Sequence, residues 1–201
     1  MSNVKSDKIL TIIIKHVAEL GWHDETLNLV NSDIAKTINK ADQTVFTTIK
    51  EVVVEYLKRN DDLMLKNLEK IDISKLKIRQ RIRKAIITRF AQNPKIVINH
   101  TAKFLAHPAN YDVAVTSLAK TCDKIWYWAG DESTDFNYYT KRILLGAVYT
   151  ASLAYYLNKE DISIDDLSIF VENRIDNVLQ LGNVKKKVTG ATDFIRKHFP
   201  F

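Results

Sequence analysis

The sequence predicts an all-α protein, and three observations support this expectation. Five glycines and three prolines among 201 residues are too few for a fold built from strands and tight turns. Apolar residues recur at helical spacing in one segment after another. Helix-ending signals separate these segments, with Gly21 and Gly130 as glycine stops and Asn93-Pro94 as a cap followed by proline.

The same signals place the elements in order. The predicted helices are Lys8–Leu20 with Ser6 or Asp7 as cap, Leu27–Asn31 with continuation through Ala35 left open, Ala41–Lys58, Leu63–Glu69, Ser74–Phe90, Pro94–His107, Tyr111–Trp128, Asp135–Leu157 and Ser163–Gly182. Asn60-Asp61-Asp62 predicts a break after the third helix. Ser163 and Asp166 form a capping-box pattern at the start of the last helix.

Composition excludes several classes of protein. A single cysteine, Cys122, excludes an internal disulfide framework and a cysteine-based zinc site, and we interpret it as a buried, inert thiol. The net charge of +6 suits nucleic acid, an anionic membrane surface or an acidic partner, so it does not choose among them. We expect no secretory signal and no membrane span, because the uncharged run 143–157 reaches only about 22 Å as a helix.

No pattern indicates catalysis. The five histidines are scattered without metal-ligand spacing, and hydrolase, dinucleotide and P-loop motifs are missing. Asp131, Ser133 and Asp135 resemble the start of a calcium loop, but Phe136 and Arg142 stand where that loop requires glycine and glutamate. We therefore expect no metal, no cofactor and no catalytic residue, and we interpret Ser133 and Asp135 as helix caps.

The first three predicted helices have the size of a helix-turn-helix module, and they resemble the DNA-binding part of TetR-type regulators. Asn39 stands at the position of the turn glycine, where asparagine tolerates left-handed backbone angles. The predicted recognition stretch, Lys40–Thr48, has no arginine for guanine contacts, and the aromatic-His-Phe sequence of these regulators is absent. The prediction is a TetR-like helical domain with a degenerate N-terminal helix-turn-helix.

The end of the chain predicts an amphipathic C-terminal helix. Its apolar stripe is flanked by Lys185, Lys186, Lys187, Arg196 and Lys197, a pattern typical of an interfacial membrane anchor. The alternative is that the stripe packs on the protein's own core. The predicted membrane-binding residues are Val184, Val188, Ile195 and Phe199.

One long stretch resembles a known family. GDESTDFNYYTKRILLGAVYTASLAYYL, the later FVENRIDNV and the earlier KIRQRIRKAIITRF are similar to the auxiliary lipid-binding proteins of coenzyme Q biosynthesis, the ninth coenzyme Q protein family. The similarity covers roughly 77–178 and is weak over the first 60 residues. It implies a TetR-like fold used for lipid binding, without catalysis, in a homodimer.

The resemblance also implies partners. Members of the family hold isoprenoid lipids in an apolar pocket and assist a di-iron hydroxylase that acts on a demethoxy-ubiquinone precursor. Carried over by position, the partner-binding patch comprises Ile125, Trp128, Asp135, Asn137, Tyr138, Tyr139 and Arg142. Tyr138 replaces the tryptophan of the family pattern, and Lys141 replaces an arginine.

The uncharged helix supplies candidate lipid contacts. At helical spacing we predict that lipid binds Leu144, Val148, Ala151 and Tyr155, with packing in an ordinary core as the alternative for each.

These inferences combine into one hypothesis with two alternatives. Residues 1–60 are the helix-turn-helix-like region, 61–182 the lipid-binding and dimerisation region, and 183–201 the amphipathic helix. We expect a cytoplasmic accessory protein that lies peripherally on the inner membrane, on the matrix side in a mitochondrion, and that does not bind nucleic acid. The alternatives are a TetR-type regulator with a hydrophobic ligand and an enzyme acting on a quinone precursor.

Overall fold

The computed structural model describes residues 2–40, 43–131 and 136–178, with side chains described from residue 8 onward except those of 136 and 137. All regular elements in these ranges are helical, which confirms the all-α prediction. The helices are α1 (Ser2–Leu20), α2 (Asp24–Thr37), α3 (Ile49–Leu68), α4 (Ile78–Ala91), α5 (Lys95–Ala106), a 3₁₀ turn (Pro108–Asn110), α6 (Tyr111–Ala129), α7 (Phe136–Asn158) and α8, described over 164–178. Within these ranges, no helix is both long and apolar enough to cross a bilayer.

Two apolar cores share helix α3. The first core packs the N-terminal half of α3 against α1, α2 and α5, with Ile13, Val30 and Val53 fully buried. The second packs the C-terminal end of α3 against α4, α6, α7 and α8, with Met64 and Leu167 fully buried. Helix α3 therefore crosses the boundary at residue 60 without interruption, and the division of the chain into three regions stays a prediction.

Two helix ends depend on glycine, as the sequence predicts. Gly21 and Gly130 have φ angles of 74° and 88°, in the left-handed region that other residues rarely adopt. A Cβ atom on Gly130 would also lie 3.1 Å from Nη1 of Arg81. At the start of α8, the Asp166 amide donates to Ser163 Oγ at 3.0 Å, which confirms the predicted cap.

Two predicted helix starts are wrong. Helix α1 already begins at Ser2, so the predicted caps Ser6 and Asp7 lie inside it. Helix α4 begins at Ile78 and not at Ser74, because Gln80 Oε1 accepts a hydrogen bond from the Lys77 amide at 2.9 Å. The amide of Ser74 instead donates to the Asp72 carboxylate in the preceding turn.

The predicted recognition helix is also wrong. Residues 43–48 are not helical, and α3 starts only at Ile49, where Thr48 caps it by accepting from the Glu51 amide. The Asn31 side chain holds the Phe46 backbone on both its N–H and C=O, at 3.0 and 2.8 Å. No residue other than glycine has a positive φ angle in the described ranges, so Asn39 does not adopt the left-handed conformation.

The predicted break at Asn60-Asp61-Asp62 is wrong, because α3 runs from Ile49 to Leu68 and the Asp61 carboxylate finds polar partners inside the molecule. Asp61 is 2% exposed, and its carboxylate accepts from Arg89 Nε of α4 at 2.9 Å. The hydroxyl of Thr121 in α6 lies 3.0 and 3.1 Å from the two carboxylate oxygens. A buried charge that is paired and hydrogen-bonded is tolerated in a helix that crosses the core.

We expect Asp61→Ala to lower the free energy of unfolding by about 3–5 kcal/mol, because it leaves the Arg89 guanidinium buried without its carboxylate. Asp62→Ala is the matched control, since Asp62 is half exposed and pairs with Lys124 at the surface; its cost should stay below about 1 kcal/mol. Denaturant titration of both variants measures the difference. Equal losses would contradict the central role of the buried pair.

Candidate functional site

A cavity of about 610 Å³ lies among α5, α6 and α7 and reaches α3 and α4 at its deep end. Its walls are apolar, formed by Phe90, Ile98, Leu105, Leu118, Leu153 and Leu157. Val115, Thr150 and Ala154 also line it and are exposed to solvent, so they mark its mouth. The volume and apolar lining are those of a site for a small hydrophobic ligand.

The deep end of the cavity is polar. Arg89, Tyr56, Thr121 and Tyr149 all line it, and Arg89 is only 5% exposed. Burial raises the pKa of Tyr149 to about 12, so the phenol is protonated at neutral pH. Burial opposes the charged form of Arg89, but the neighbouring Tyr149 and Asp61 outweigh it and raise the pKa of Arg89 above its ordinary value. The lining is thus mostly apolar, with buried polar side chains from α3, α4 and α6 and further polar side chains from Asn99, Lys103, Ser117 and Asn158.

Helix α7 contributes to the cavity through a different face from the one predicted. The lining residues on α7 are Tyr149, Thr150, Leu153, Ala154, Leu157 and Asn158. None of the predicted lipid contacts, Leu144, Val148, Ala151 and Tyr155, lines this cavity. Val148 is buried in the second core, and the Tyr155 ring stacks on Phe170 of α8 with centroids 3.9 Å apart.

The uncharged sequence of α7 explains this difference. Both sides of α7 are apolar. Helical spacing therefore shows which residues share a face, but it does not show which helix or cavity that face contacts. The side that carries Tyr155 packs on α8, and the side that carries Leu153 faces the cavity. Arg89 is a sequence signal that the prediction did not use. It is charged, yet it lies at the same helical spacing as the buried apolar residues of α4.

Arg142, a predicted partner contact, joins α6 to α7 within the chain. Its guanidinium lies 2.7 Å from the Asp123 carboxylate and 3.2 Å from that of Asp131. It also stacks on the Tyr138 ring, 3.3 Å from the centroid. The Tyr138 hydroxyl donates to Asp123 at 2.9 Å, and this hydrogen bond raises the pKa of Tyr138. Arg142 and Tyr138 therefore hold the patch together.

Exposed aromatic and aliphatic side chains lie on α6 and α7 near the contact of Arg142 with Asp123. Tyr139, which was predicted, is 67% exposed, and Tyr127 and Ile143, which were not, are 79% and 72% exposed. Among the other predicted patch residues, Trp128 is half-buried and Ile125 is fully buried, so Ile125 offers no surface to a partner in this conformation. Asp135 lies outside the described residues, as does the side chain of Asn137.

The remaining predicted sites divide into three cases. Cys122 is 1% exposed, which confirms its predicted burial, and burial raises the pKa of the thiol to about 12. The described residues contain no group of His, Cys, Asp and Glu side chains that could hold a metal ion. The predicted membrane contacts Val184, Val188, Ile195 and Phe199 lie outside the described residues.

The basic residues of α4 bind other parts of the chain. Arg83 pairs with Glu172 of α8, and Arg79 lies 3.6 Å from the Asp176 carboxylate. Arg81 donates to the Ala129 carbonyl at the end of α6. These bonds join α4 to the end of α6 and to α8.

Comparison with known proteins adds independent information. A family model described as COQ9 matches residues 111–182, which include α6, α7 and the described part of α8. The chain is similar to the COQ9 family, through this segment and through relatives that match most of its length. The matched segment forms one wall of the cavity and the whole patch around Arg142. The residues at the polar deep end that come from α3 and α4 lie outside it.

Relatives named as COQ9 ubiquinone biosynthesis proteins, mitochondrial, match different lengths of the chain. The human protein is 33% identical over 81 residues, 40% of this chain and 26% of the relative. The Rattus norvegicus protein is 25% identical over 90% of this chain and 61% of its own length. The Schizosaccharomyces pombe protein is 26% identical over 92% of this chain and 74% of its own length. The chain thus spans less than two thirds of the human and rat relatives.

Proposed function

We propose that this chain is a non-enzymatic lipid-binding accessory protein of ubiquinone biosynthesis. It binds an isoprenoid or quinone lipid in the cavity among α5, α6 and α7 and presents it to a di-iron demethoxyubiquinone hydroxylase at the membrane. The observation that carries the proposal is the cavity, which is apolar, about 610 Å³ in volume and open at Val115 and Ala154. The names of the COQ9 relatives support the pathway.

The energetics of a prenyl chain fit such a cavity. Each methylene-sized group moved from water to apolar walls contributes about 0.8 kcal/mol. A few isoprene units therefore offset the several kcal/mol that association costs in lost freedom of motion. Binding is reversible when only part of the prenyl chain is buried. A protein that passes its ligand to another protein requires such reversible binding.

The patch around Tyr139 is the proposed docking surface for the hydroxylase. Tyr139, Tyr127 and Ile143 form its exposed apolar part, while Arg142 fixes α7 against α6 beneath it. Exposed aromatic residues on a rigid support are typical anchors of protein interfaces. The patch and the cavity share α7, so one helix would connect the partner with the lipid.

Membrane contact and dimer formation complete the proposal. The C-terminal segment would bind the bilayer through Val184, Val188, Ile195 and Phe199, which places the protein peripherally on the inner membrane, as the mitochondrial names of the relatives suggest. A homodimer follows from the family resemblance. The alternative of a DNA-binding regulator gains no support from the described residues, because residues 43–48 do not form the recognition helix.

Closing the mouth of the cavity should abolish lipid binding. Ala154 is an exposed mouth residue of α7, so Ala154→Trp places an indole across the opening without straining the core. We expect at least a ten-fold weaker affinity for a fluorescent geranylgeranyl probe, measured by fluorescence titration. Ala147→Trp, at an exposed position of the same helix that does not line the cavity, is the control. Unchanged binding by Ala154→Trp would contradict the assignment of the lipid to this cavity.

A polar substitution on the patch should weaken docking. Tyr139→Ser removes an exposed ring whose aromatic contact among the described side chains is Tyr138, so the fold should remain intact. We expect at least a ten-fold weaker affinity for the hydroxylase in surface plasmon resonance. Ile169→Ser removes a similarly exposed apolar side chain from α8 and should have little effect. Equal affinities of the wild type and Tyr139→Ser would remove Tyr139 from the proposed interface.

A further inference from the structure

An exposed basic surface lies at the start of α4. Residues 69–84 carry seven basic and two acidic side chains, and two of the basic ones pair with α8. Lys75 and Lys77 are exposed, and neither forms an ion pair in the part of the chain that the structure describes. Ile78, the first residue of α4, is 51% exposed beside them. Two unpaired cations and an apolar side chain therefore face solvent together.

Hydrogen bonds hold this surface in place. The guanidinium of Arg81 donates from Nε to the Leu76 carbonyl and from Nη1 to the Ala129 carbonyl, both at 2.9 Å. It thereby ties the segment before α4 to the end of α6. Lys75 and Lys77 stand on either side of Leu76, so their backbone positions belong to the folded structure. A partner that binds these two lysines has little backbone to order, which lowers the cost of association.

The chemistry of the surface suits an anionic bilayer. Lysine ammonium groups are attracted to lipid phosphates, and lysine stems bury beside apolar groups at an interface. The exposed Ile78 side chain gains free energy when it leaves water for the headgroup boundary. An acidic protein would also satisfy the two lysines, so the position of the surface in the fold has to choose between these partners.

The basic surface lies beside the described end of α8. Arg79 of α4 lies 3.6 Å from the Asp176 carboxylate, and α8 is described up to Val178, two residues later. Val184, the first of the predicted membrane contacts, follows Val178 by six positions, which span at most about 20 Å. The C-terminal segment and the basic surface can therefore reach one bilayer together. This continuity favours the bilayer over an acidic protein.

The other end of α8 has the opposite charge. Residues 159–166 carry four acidic side chains and one basic one, and all five are exposed. Lys95 of α5 binds backbone carbonyls of the same turn. The described length of α8, 164–178, separates this acidic end from the basic surface by about 20 Å. An anionic bilayer attracts one end and repels the other, so the charge distribution favours a single orientation of the chain.

We propose that the surface formed by Lys75, Lys77 and Ile78 is a second membrane contact, which binds an anionic bilayer together with the C-terminal segment. The two ammonium groups bind lipid phosphates, and the Ile78 side chain enters the headgroup boundary. The chain then stands with the start of α4 toward the bilayer and the turn before α8 away from it. This inference rests on the membrane contact in the proposed function, and it adds a second surface and an orientation.

Co-sedimentation of the full chain with vesicles tests the proposal. The vesicles contain phosphatidylcholine alone, or phosphatidylcholine with about one third of anionic phosphatidylglycerol. Lys75→Gln/Lys77→Gln removes both charges and keeps polar, unbranched side chains. Lys58→Gln/Lys120→Gln is the matched control, because it removes two exposed lysines of α3 and α6 that likewise form no ion pair in the described ranges. Thermal melting followed by circular dichroism establishes that all three proteins are folded.

We expect Lys75→Gln/Lys77→Gln to bind anionic vesicles roughly ten- to thirty-fold more weakly than the wild type, because two attractions to lipid phosphates are lost. The control should lose less than about three-fold, since its lysines stay in solvent. Both variants should match the wild type on phosphatidylcholine alone.

Three results would contradict this account in different ways. Equal losses in the two double variants would show a general effect of net charge and overturn the second contact. Unchanged vesicle binding by Lys75→Gln/Lys77→Gln, with weaker binding to the hydroxylase in surface plasmon resonance, would assign the surface to an acidic protein and also overturn it. Failure of the wild type to bind either kind of vesicle would overturn the membrane contact in the proposed function itself.

Discussion

The buried ion pair between Asp61 and Arg89 is the interaction on which the rest of the fold depends. It joins α3 to α4 in the interior, and Thr121 of α6 completes the hydrogen bonds of the carboxylate. Without these partners the carboxylate could not remain inside a helix that crosses the molecule. Because α3 also contributes to both apolar cores, the pair fixes the helices that surround the cavity.

The pair also determines the character of the cavity. A buried guanidinium held at one end leaves its other side facing the space among α5, α6 and α7, where Tyr149 lies beside it. The walls beyond are apolar up to the mouth. The buried pair therefore supplies polar lining to the proposed ligand site. The mouth of the cavity opens along the same α7 helix that carries Tyr139 near its other end.

The sequence predicts the fold class and several boundaries because these depend on local chemistry. Gly130 ends α6 through its positive φ angle, and Ser163 caps α8, both as expected from residue type alone. The prediction failed where long-range contacts decide the structure. From the local sequence, Asp61 resembles a polar residue that ends a helix. Its partner Arg89 is 28 positions later, and only the tertiary fold brings the two together.

In the candidate site, too, some residues were predictable from the local sequence and others depend on tertiary contacts. The exposure of Tyr139 agrees with its position in a predicted patch, whereas the inward role of Arg142 depends on Asp123 and Asp131, which only the tertiary fold brings together. For the uncharged α7, the sequence could not distinguish the face against α8 from the face toward the cavity. The family resemblance supplied the lipid hypothesis, and the location of the cavity came from the packing of α5 against α6 and α7.

Native mass spectrometry of the chain, purified from cells without detergent, tests the central claim of a lipid cavity most directly. We predict a population whose mass exceeds that of the chain by one prenylated or quinone molecule, which organic extraction releases for identification. A single peak at the mass of the bare chain, unchanged after incubation with vesicles that contain prenylated quinone, would contradict the assignment of this cavity to lipid.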